Sequence, residues 1–128
     1  MLQAIAPSEA YRRVEIDAYI VGGDTGQLTR LCLAEAIGAI NRALCFDTYA
    51  QPGKRSTAVL KALSCVQALK LGVDVSQPLG EALLVVYGDA CAKLVRGSSR
   101  FDRAELTALR DDFLEMEQAF AETGRRPA

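Results

Sequence analysis

The chain has 128 residues, of which half are apolar and 24% are charged, and its net charge is −1. This length suits one domain with its own core. Because the charges nearly balance, the chain has no strong positive potential that would attract nucleic acid or an anionic membrane. The chain contains no His, and its four Cys lack zinc-like spacing, so neither a metal site nor a cofactor is predicted. No apolar run is long enough to cross a bilayer. The Cys lie mostly within apolar helical patterns, so disulfides are not expected and the cytoplasm is the predicted location.

Residues 1–23 are predicted to form an N-terminal arm that contains a short helix. Ser8 can cap this helix, and Ala10, Tyr11 and further apolar residues recur at helical spacing. Two glycines, Gly22 and Gly23, end it. Such an arm is either a fixed part of the core or a lid that a partner displaces.

The segment from Asp24 to Phe46 is predicted to be the central helix. Asp24 and Gln27 match an N-terminal capping box. The segment carries two adjacent apolar stripes: Leu28, Leu31, Cys32, Ala36, Ala39 and Ala43 in one, and Leu33, Ile37, Ile40 and Leu44 in the other. Together they cover more than half of the circumference, whereas a surface helix needs an apolar face only about 100° wide. This helix therefore requires partners on two sides.

Three further amphipathic helices are predicted after a turn at residues 51–53. Ser56 is the expected N-cap of the first helix, and Ser76 and Pro78 are expected to open the second. Asp102 is the expected N-cap of the third, and Glu105 completes a capping-box pattern with it. Apolar residues recur every three or four positions, including Val59, Ala62, Leu63, Val66 and Leu69 in the first, Leu79, Leu83, Val86, Ala90 and Leu94 in the second, and Leu106, Leu109, Phe113 and Phe120 in the third. Residues 124–128 are expected to fray. The predicted fold is all-α: one domain, with an antiparallel four-helix bundle over residues 24–123 and the short N-terminal helix beside it.

No set of residues indicates an enzyme. The commonest general base, His, is missing. Asp111 and Asp112 are adjacent, so on a helix their side chains point about 100° apart and cannot share a proton. The glycine-rich segment 22–26 lacks both the Lys-Ser/Thr pair of a phosphate loop and a preceding core strand.

The wide apolar faces of the predicted helices have two possible interpretations. Small residues such as Ala36, Ala39 and Ala43 can line shallow grooves that accept a partner helix. Alternatively, packing between the helices of the bundle buries all of these apolar side chains. Tyr87 is likewise either a core residue or an edge of such a groove.

The order of these features resembles that of the flagellar secretion chaperone (FliS) family, from Ala10 to Phe120. The family begins with Ala-Tyr, here Ala10-Tyr11, and continues with a helix start and apolar run, here from Thr25 to Ile37. Its later helices are matched in spacing by Lys61-Ala62, Cys65-Val66, Leu69 and Val73-Asp74, by Leu83, Val86, Tyr87 and Leu94, and by Leu106, Leu109, Phe113 and Phe120. The chain departs from the family where Leu33-Ala34-Glu35 replaces the usual Tyr-Asp-Gly.

The resemblance implies a non-catalytic cytoplasmic chaperone. Members of the family bind the disordered C-terminal segment of flagellin in apolar grooves, which prevents premature polymerisation and keeps flagellin competent for flagellar type III export. Delivery to the flagellar export gate is a further expected contact. The resemblance and the apolar pattern select these candidate partner-binding residues: Tyr11, Leu28, Leu31, Cys32, Ala36, Ala39, Ala43, Leu63, Val66, Leu83, Val86 and Tyr87. A regulatory adaptor of flagellar assembly and a homodimeric bundle without a chaperone role are the alternatives.

Overall fold

The computed structural model describes residues 25–125, with side chains from Gly26 to Ala121. This part of the chain forms four helices: α1 (Thr25–Thr48), α2 (Pro52–Leu71), α3 (Gly80–Ser99) and α4 (Arg103–Arg125). The prediction of an all-α bundle is confirmed. The predicted N-terminal arm and the Asp24 cap lie outside the described residues.

Helix α1 has two neighbours along its length, because it packs against both α2 and α4. Helix α2 lies between α1 and α3. Although α3 and α4 are consecutive, they approach each other closely at few positions. Two of these contacts lie beside the connecting loop: Arg96 pairs with Glu105 at 2.9 Å, and Gly97 faces Leu106. One long flank of α3 is therefore not covered by a close helical neighbour in the described part of the chain.

The core is built around α1. Both of its predicted stripes are buried except for Leu31: the buried members are Leu28, Cys32, Leu33, Ala36, Ile37, Ala39, Ile40, Ala43 and Leu44. The other helices contribute Val59, Val66, Tyr87, Leu94, Leu106 and Phe113 among their fully buried side chains. Each large aliphatic side chain buried in this way stabilises the fold by about 1.5–3 kcal/mol. Packing within the bundle thus takes up nearly all of the apolar surface of α1.

Two helices begin at residues other than those predicted. Helix α2 begins at Pro52, whose fixed φ suits a first helical position, so Ser56 lies inside the helix and donates from Oγ to the Ser98 carbonyl at 3.3 Å. Helix α3 begins at Gly80 rather than Ser76. Ser76 instead donates from its backbone N–H and from Oγ to Asp74 Oδ1, at 2.9 and 2.6 Å. A local turn thus competes successfully with the helix start.

The predicted start of α4 is confirmed. Asp102 Oδ1 accepts a hydrogen bond from the backbone N–H of Glu105 at 3.1 Å, as in a capping box. Helix α4 continues to Arg125, beyond the predicted limit of the bundle, and residues 126–128 lie outside the described part. Between residues 25 and 125, no helix combines the length and the apolar character needed to cross a membrane.

The turn from α1 to α2 has the hydrogen bonds of a Schellman motif. The N–H of Gln51 donates to the Phe46 carbonyl at 2.9 Å, and that of Ala50 donates to the Asp47 carbonyl at 3.1 Å. Ala50 has φ of 53°, in the left-handed region that glycine adopts at much lower cost. The short turn brings α2 back antiparallel to α1.

Candidate partner-binding groove

Apolar side chains follow the outer flanks of α2 and α3 where these two helices meet. On α2, Leu60, Leu63 and Leu71 recur at helical spacing on the flank towards α3, and on α3, Leu84, Cys91 and Val95 do the same on the flank towards α2. We call these six residues the α2–α3 groove. Leu60, Leu71 and Val95 are 49%, 51% and 54% exposed, and the other three are half-buried. The groove therefore offers large apolar side chains to solvent near both of its ends, and the exposed polar residues Ser64 and Gln67 lie between Leu63 and Leu71 on α2.

Contacts between the two helices fix which flanks meet. Gly97 of α3 lies near the side chain of Val59 of α2, and Ser56 Oγ reaches the Ser98 carbonyl. At the other end, the Lys70 ammonium is close enough to the Cys91 thiol to affect its pKa. Because the helices are antiparallel, Val95 then lies beside the start of the α2 strip and Leu84 beside its end.

Gly88 leaves the middle of the groove open. A Cβ atom added at Gly88 would meet nothing within 4 Å. The position lies between Leu84 and Cys91 in the α3 strip, at spacings of four and three residues. A partner side chain could approach the α3 backbone closely there.

Most of the residues predicted to bind a partner lie in the core. Leu28, Cys32, Ala36, Ala39, Ala43, Val66 and Tyr87 are buried, Leu63 and Leu83 are half-buried, and Tyr11 lies outside the described residues. Only Leu31 and Val86 are well exposed, at 52% and 43%. Leu31 is on α1 and Val86 on α3, so the structure does not gather the predicted set on one surface. Leu63 alone belongs to the α2–α3 groove.

The alanines of α1 are fully buried because their size permits close helix packing. Ala36, Ala39 and Ala43 have no exposed surface, and the last two lie at a spacing of four residues, on one face. A small side chain at such positions lets the axes of neighbouring helices approach closely, towards the lower end of the usual 8–10 Å range. In this conformation the three alanines form a helix contact and not an open groove.

Tyr87 is a core residue whose hydroxyl is buried. Its side chain is 1% exposed, and its hydroxyl makes no hydrogen bond within residues 25–125. Burial raises the Tyr87 pKa to about 12, and the nearby Cys32 thiol also raises it. The hydroxyl is therefore protonated at neutral pH, and its burial costs free energy.

Two cysteines at the helix interfaces are protonated at neutral pH. Burial raises the pKa of Cys65 to about 11, despite an opposing effect of Lys61. Burial also raises the pKa of Cys91, against a lowering by Lys70. Since the thiolate is the reactive form, both behave as small apolar residues. Cys45, by contrast, is exposed.

The sequence prediction selected residues from the main apolar stripe of each helix and so missed five groove residues: Leu60, Leu71, Leu84, Cys91 and Val95. The available signal was their position as apolar residues beside those stripes. A neighbouring helix usually buries such residues, and only the actual helix arrangement shows that Leu60, Leu71 and Val95 stay about half exposed.

Among the described side chains, no group of His, Cys, Asp or Glu is arranged to hold a metal ion. Comparison with protein-family models, with curated proteins and with solved structures finds no match to the chain.

Proposed function

We propose that the protein is a cytoplasmic export chaperone whose α2–α3 groove binds the C-terminal segment of flagellin. One structural observation supports the proposal most: large apolar side chains lie exposed on the adjacent flanks of two neighbouring helices. Exposed apolar surfaces of this kind are typical of protein interaction sites. The choice of flagellin rests on the resemblance of the sequence to the flagellar secretion chaperones.

The dimensions of the groove suit a short amphipathic helix. From Leu60 to Leu71 the strip is about 16 Å long at 1.5 Å per residue. A partner helix of about eleven residues has that length and presents apolar side chains at positions i, i+3 or i+4, and i+7. Gly88 would admit one of these side chains near the centre.

The energetics also suit a partner that is disordered when free. Ordering such a segment costs about 2–5 kcal/mol, and each large aliphatic side chain that becomes fully buried returns about 1.5–3 kcal/mol. Four such anchors contribute about 6–12 kcal/mol, which exceeds the ordering cost. Shielding these anchors would prevent flagellin from polymerising before export.

Calorimetry with a peptide from the C-terminus of the flagellin of the same organism tests the proposal. We expect micromolar or tighter binding to the intact protein. Val95→Asp and Leu60→Asp place a charge in the groove and should each weaken binding at least about tenfold, equivalent to about 1.4 kcal/mol. Val85→Asp is the matched control, because Val85 is a more exposed valine of α3 outside the groove, and it should bind normally.

Helical circular dichroism establishes that each variant is folded, and sedimentation measures its mass. The absence of binding by a folded protein at micromolar concentration would exclude the chaperone function. A concentration-dependent dimer that Val95→Asp converts to monomer, without any peptide binding, would support the homodimer alternative instead.

A further inference from the structure

A second concave feature lies on the opposite flank of α2, against α1. It is a cleft of about 480 Å³ between the C-terminal half of α1 and the N-terminal half of α2. The residues that matter in its lining are Arg42 and Phe46 of α1 and Lys54, Thr57, Ala58 and Lys61 of α2. It shares no residue with the α2–α3 groove.

The cleft contains three cationic side chains and no acidic one. Arg42, Lys54 and Lys61 make no ion pair with any carboxylate in the described part of the chain. The nearby Asp47 is held by two other residues, Arg55 at 2.9 Å and Arg103 at 3.0 Å. The cleft therefore has a local positive potential, although the whole chain has a net charge of −1.

Glu35 is the next acidic residue towards the N-terminus of α1. It lies about two helical turns from Arg42 and pairs with none of the three cations. It reduces the positive potential at that end of the cleft without neutralising it.

The floor between the cations is apolar. Phe46 is half-buried and Ala58 is buried, and the Lys54 ammonium lies 5.9 Å from the centre of the Phe46 ring. Thr57 donates its hydroxyl to the Gly53 carbonyl at 3.1 Å. An apolar side chain placed here would contact the ring and the alanine while its flanking groups met the cations.

The spacing of the cations favours an extended ligand over a single anion. Lys54 and Lys61 are seven residues apart on α2, which separates them by about 10 Å along the helix axis. A single phosphate or carboxylate would have to draw both ammonium groups together from that spacing, which brings two like charges close to each other. Three residues of a polyproline II segment span about 9 Å and complete one turn, so two acidic side chains three positions apart lie on the same face and match the spacing.

We propose that this cleft binds an acidic segment of a partner protein, in which two carboxylates flank an apolar side chain. The carboxylates pair with Lys54 at one end and with Arg42 and Lys61 at the other, and the apolar side chain lies on Phe46. A nucleic acid is disfavoured because three cations on a chain of net negative charge offer little counterion release. The inference does not depend on the proposed chaperone function.

A blocked peptide containing Glu-Ser-Leu-Glu, titrated into the ¹⁵N-labelled full chain at low salt, tests this inference. We expect chemical-shift changes centred on Gly53, Lys54, Thr57 and Lys61, with millimolar or tighter affinity that falls as salt is added. Lys61→Ala and Arg42→Ala should each weaken binding about three- to tenfold, consistent with single exposed charge pairs. Arg100→Ala removes an exposed cation outside the cleft and should leave the affinity unchanged.

Four outcomes would overturn the inference. The first is no change at these amides at millimolar peptide, and the second is an equal response to the Gln-Ser-Leu-Gln peptide. The third is an equal response to Glu-Ser-Ser-Glu or to inorganic phosphate, which would reduce the site to a simple anion contact. The fourth is a response to single-stranded DNA but not to the acidic peptide. Groove variants such as Val95→Asp should not affect this titration, so its failure is distinguishable from failure of the chaperone proposal.

Discussion

Arg103 of α4 forms an ion pair with Asp47 of α1 and also caps the C-terminal end of α1. The Arg103 Nη1 atom donates to Asp47 Oδ2 and to the Leu44 carbonyl, each at 3.0 Å. Helix α1 has no basic residue in its own last turn, so α4 supplies the cation that favours a helix C-terminus. The other oxygen of Asp47 accepts from Arg55 of α2 at 2.9 Å.

We expect Asp47→Ala to lower the free energy of unfolding by about 1–2 kcal/mol, because it leaves two arginines without their carboxylate. Urea denaturation measures this change. In a double-mutant cycle with Arg103→Ala, the coupling energy should be about 0.5–1 kcal/mol and should shrink at high salt. Additive effects would show that the ion pair contributes nothing beyond the separate side chains.

Two glycines of α3 should respond to alanine in opposite directions. At Gly80 an added Cβ would lie 2.7 Å from Val75 Cα and closer still to the Asp74 carbonyl oxygen, so Gly80→Ala should destabilise by about 1–3 kcal/mol. At Gly88 there is open space, and Gly88→Ala should stabilise the helix by about 0.5–1 kcal/mol. Thermal melts of the two variants make the comparison. A loss of stability in Gly88→Ala would mean that the space beside it is filled.

Tyr87→Phe should leave the protein equally stable or more stable, by up to about 1 kcal/mol. The substitution removes a buried hydroxyl that has no hydrogen-bond partner in the part of the chain that the structure describes, and it keeps the ring that packs in the core. Tyr87→Ala is the contrast, with an expected loss of about 3–5 kcal/mol from the cavity it creates. A marked loss in Tyr87→Phe would reveal a hydrogen bond that the hydroxyl makes in solution.

The raised pKa of Cys65 predicts two pH effects. In the unfolded chain the thiol titrates near its ordinary value of 9.0, and in the folded chain it titrates at about 11. Between these values the unfolded state binds fewer protons, so stability falls as pH rises through this window. Cys65→Ala should reduce that fall in denaturation curves measured across the window.

Thiol reactivity gives the second readout. At mildly alkaline pH, iodoacetamide should modify the exposed Cys45 well before Cys65 or Cys91, as peptide mass spectrometry can follow. Rapid modification of Cys65 in the folded protein would contradict the structure at this interface.

The helical periodicity was enough to predict the fold, because every element has a long apolar stripe. Helix ends were harder to predict. Ser56 and Ser76 are good capping residues, yet Pro52 starts α2 and the Asp74 turn delays α3. These outcomes depend on competition between local hydrogen bonds, which a residue type alone does not decide.

The exposed surface could not be predicted from periodicity. Ala36 and Ala39 suit a groove and a close helix contact equally well. They form a helix contact because α1 has helices packed on two of its sides, and both alanines are buried there. Likewise, Leu60 and Val95 look like ordinary helix residues until the structure shows them about half exposed where α2 and α3 meet. Tertiary arrangement determines which apolar residues remain in solvent.

The sparse contact between α3 and α4 has a consequence for the folding pathway. Helices α1 and α2 each pack on the next helix along the chain, whereas α4 packs chiefly on α1, from which it is separated by two helices. That contact closes the longest loop of the bundle, so α4 should dock after the other three have assembled. We expect Leu109→Ala to accelerate unfolding with little change in the refolding rate, as stopped-flow measurements would show. The same order predicts that α4 detaches first when the native bundle opens.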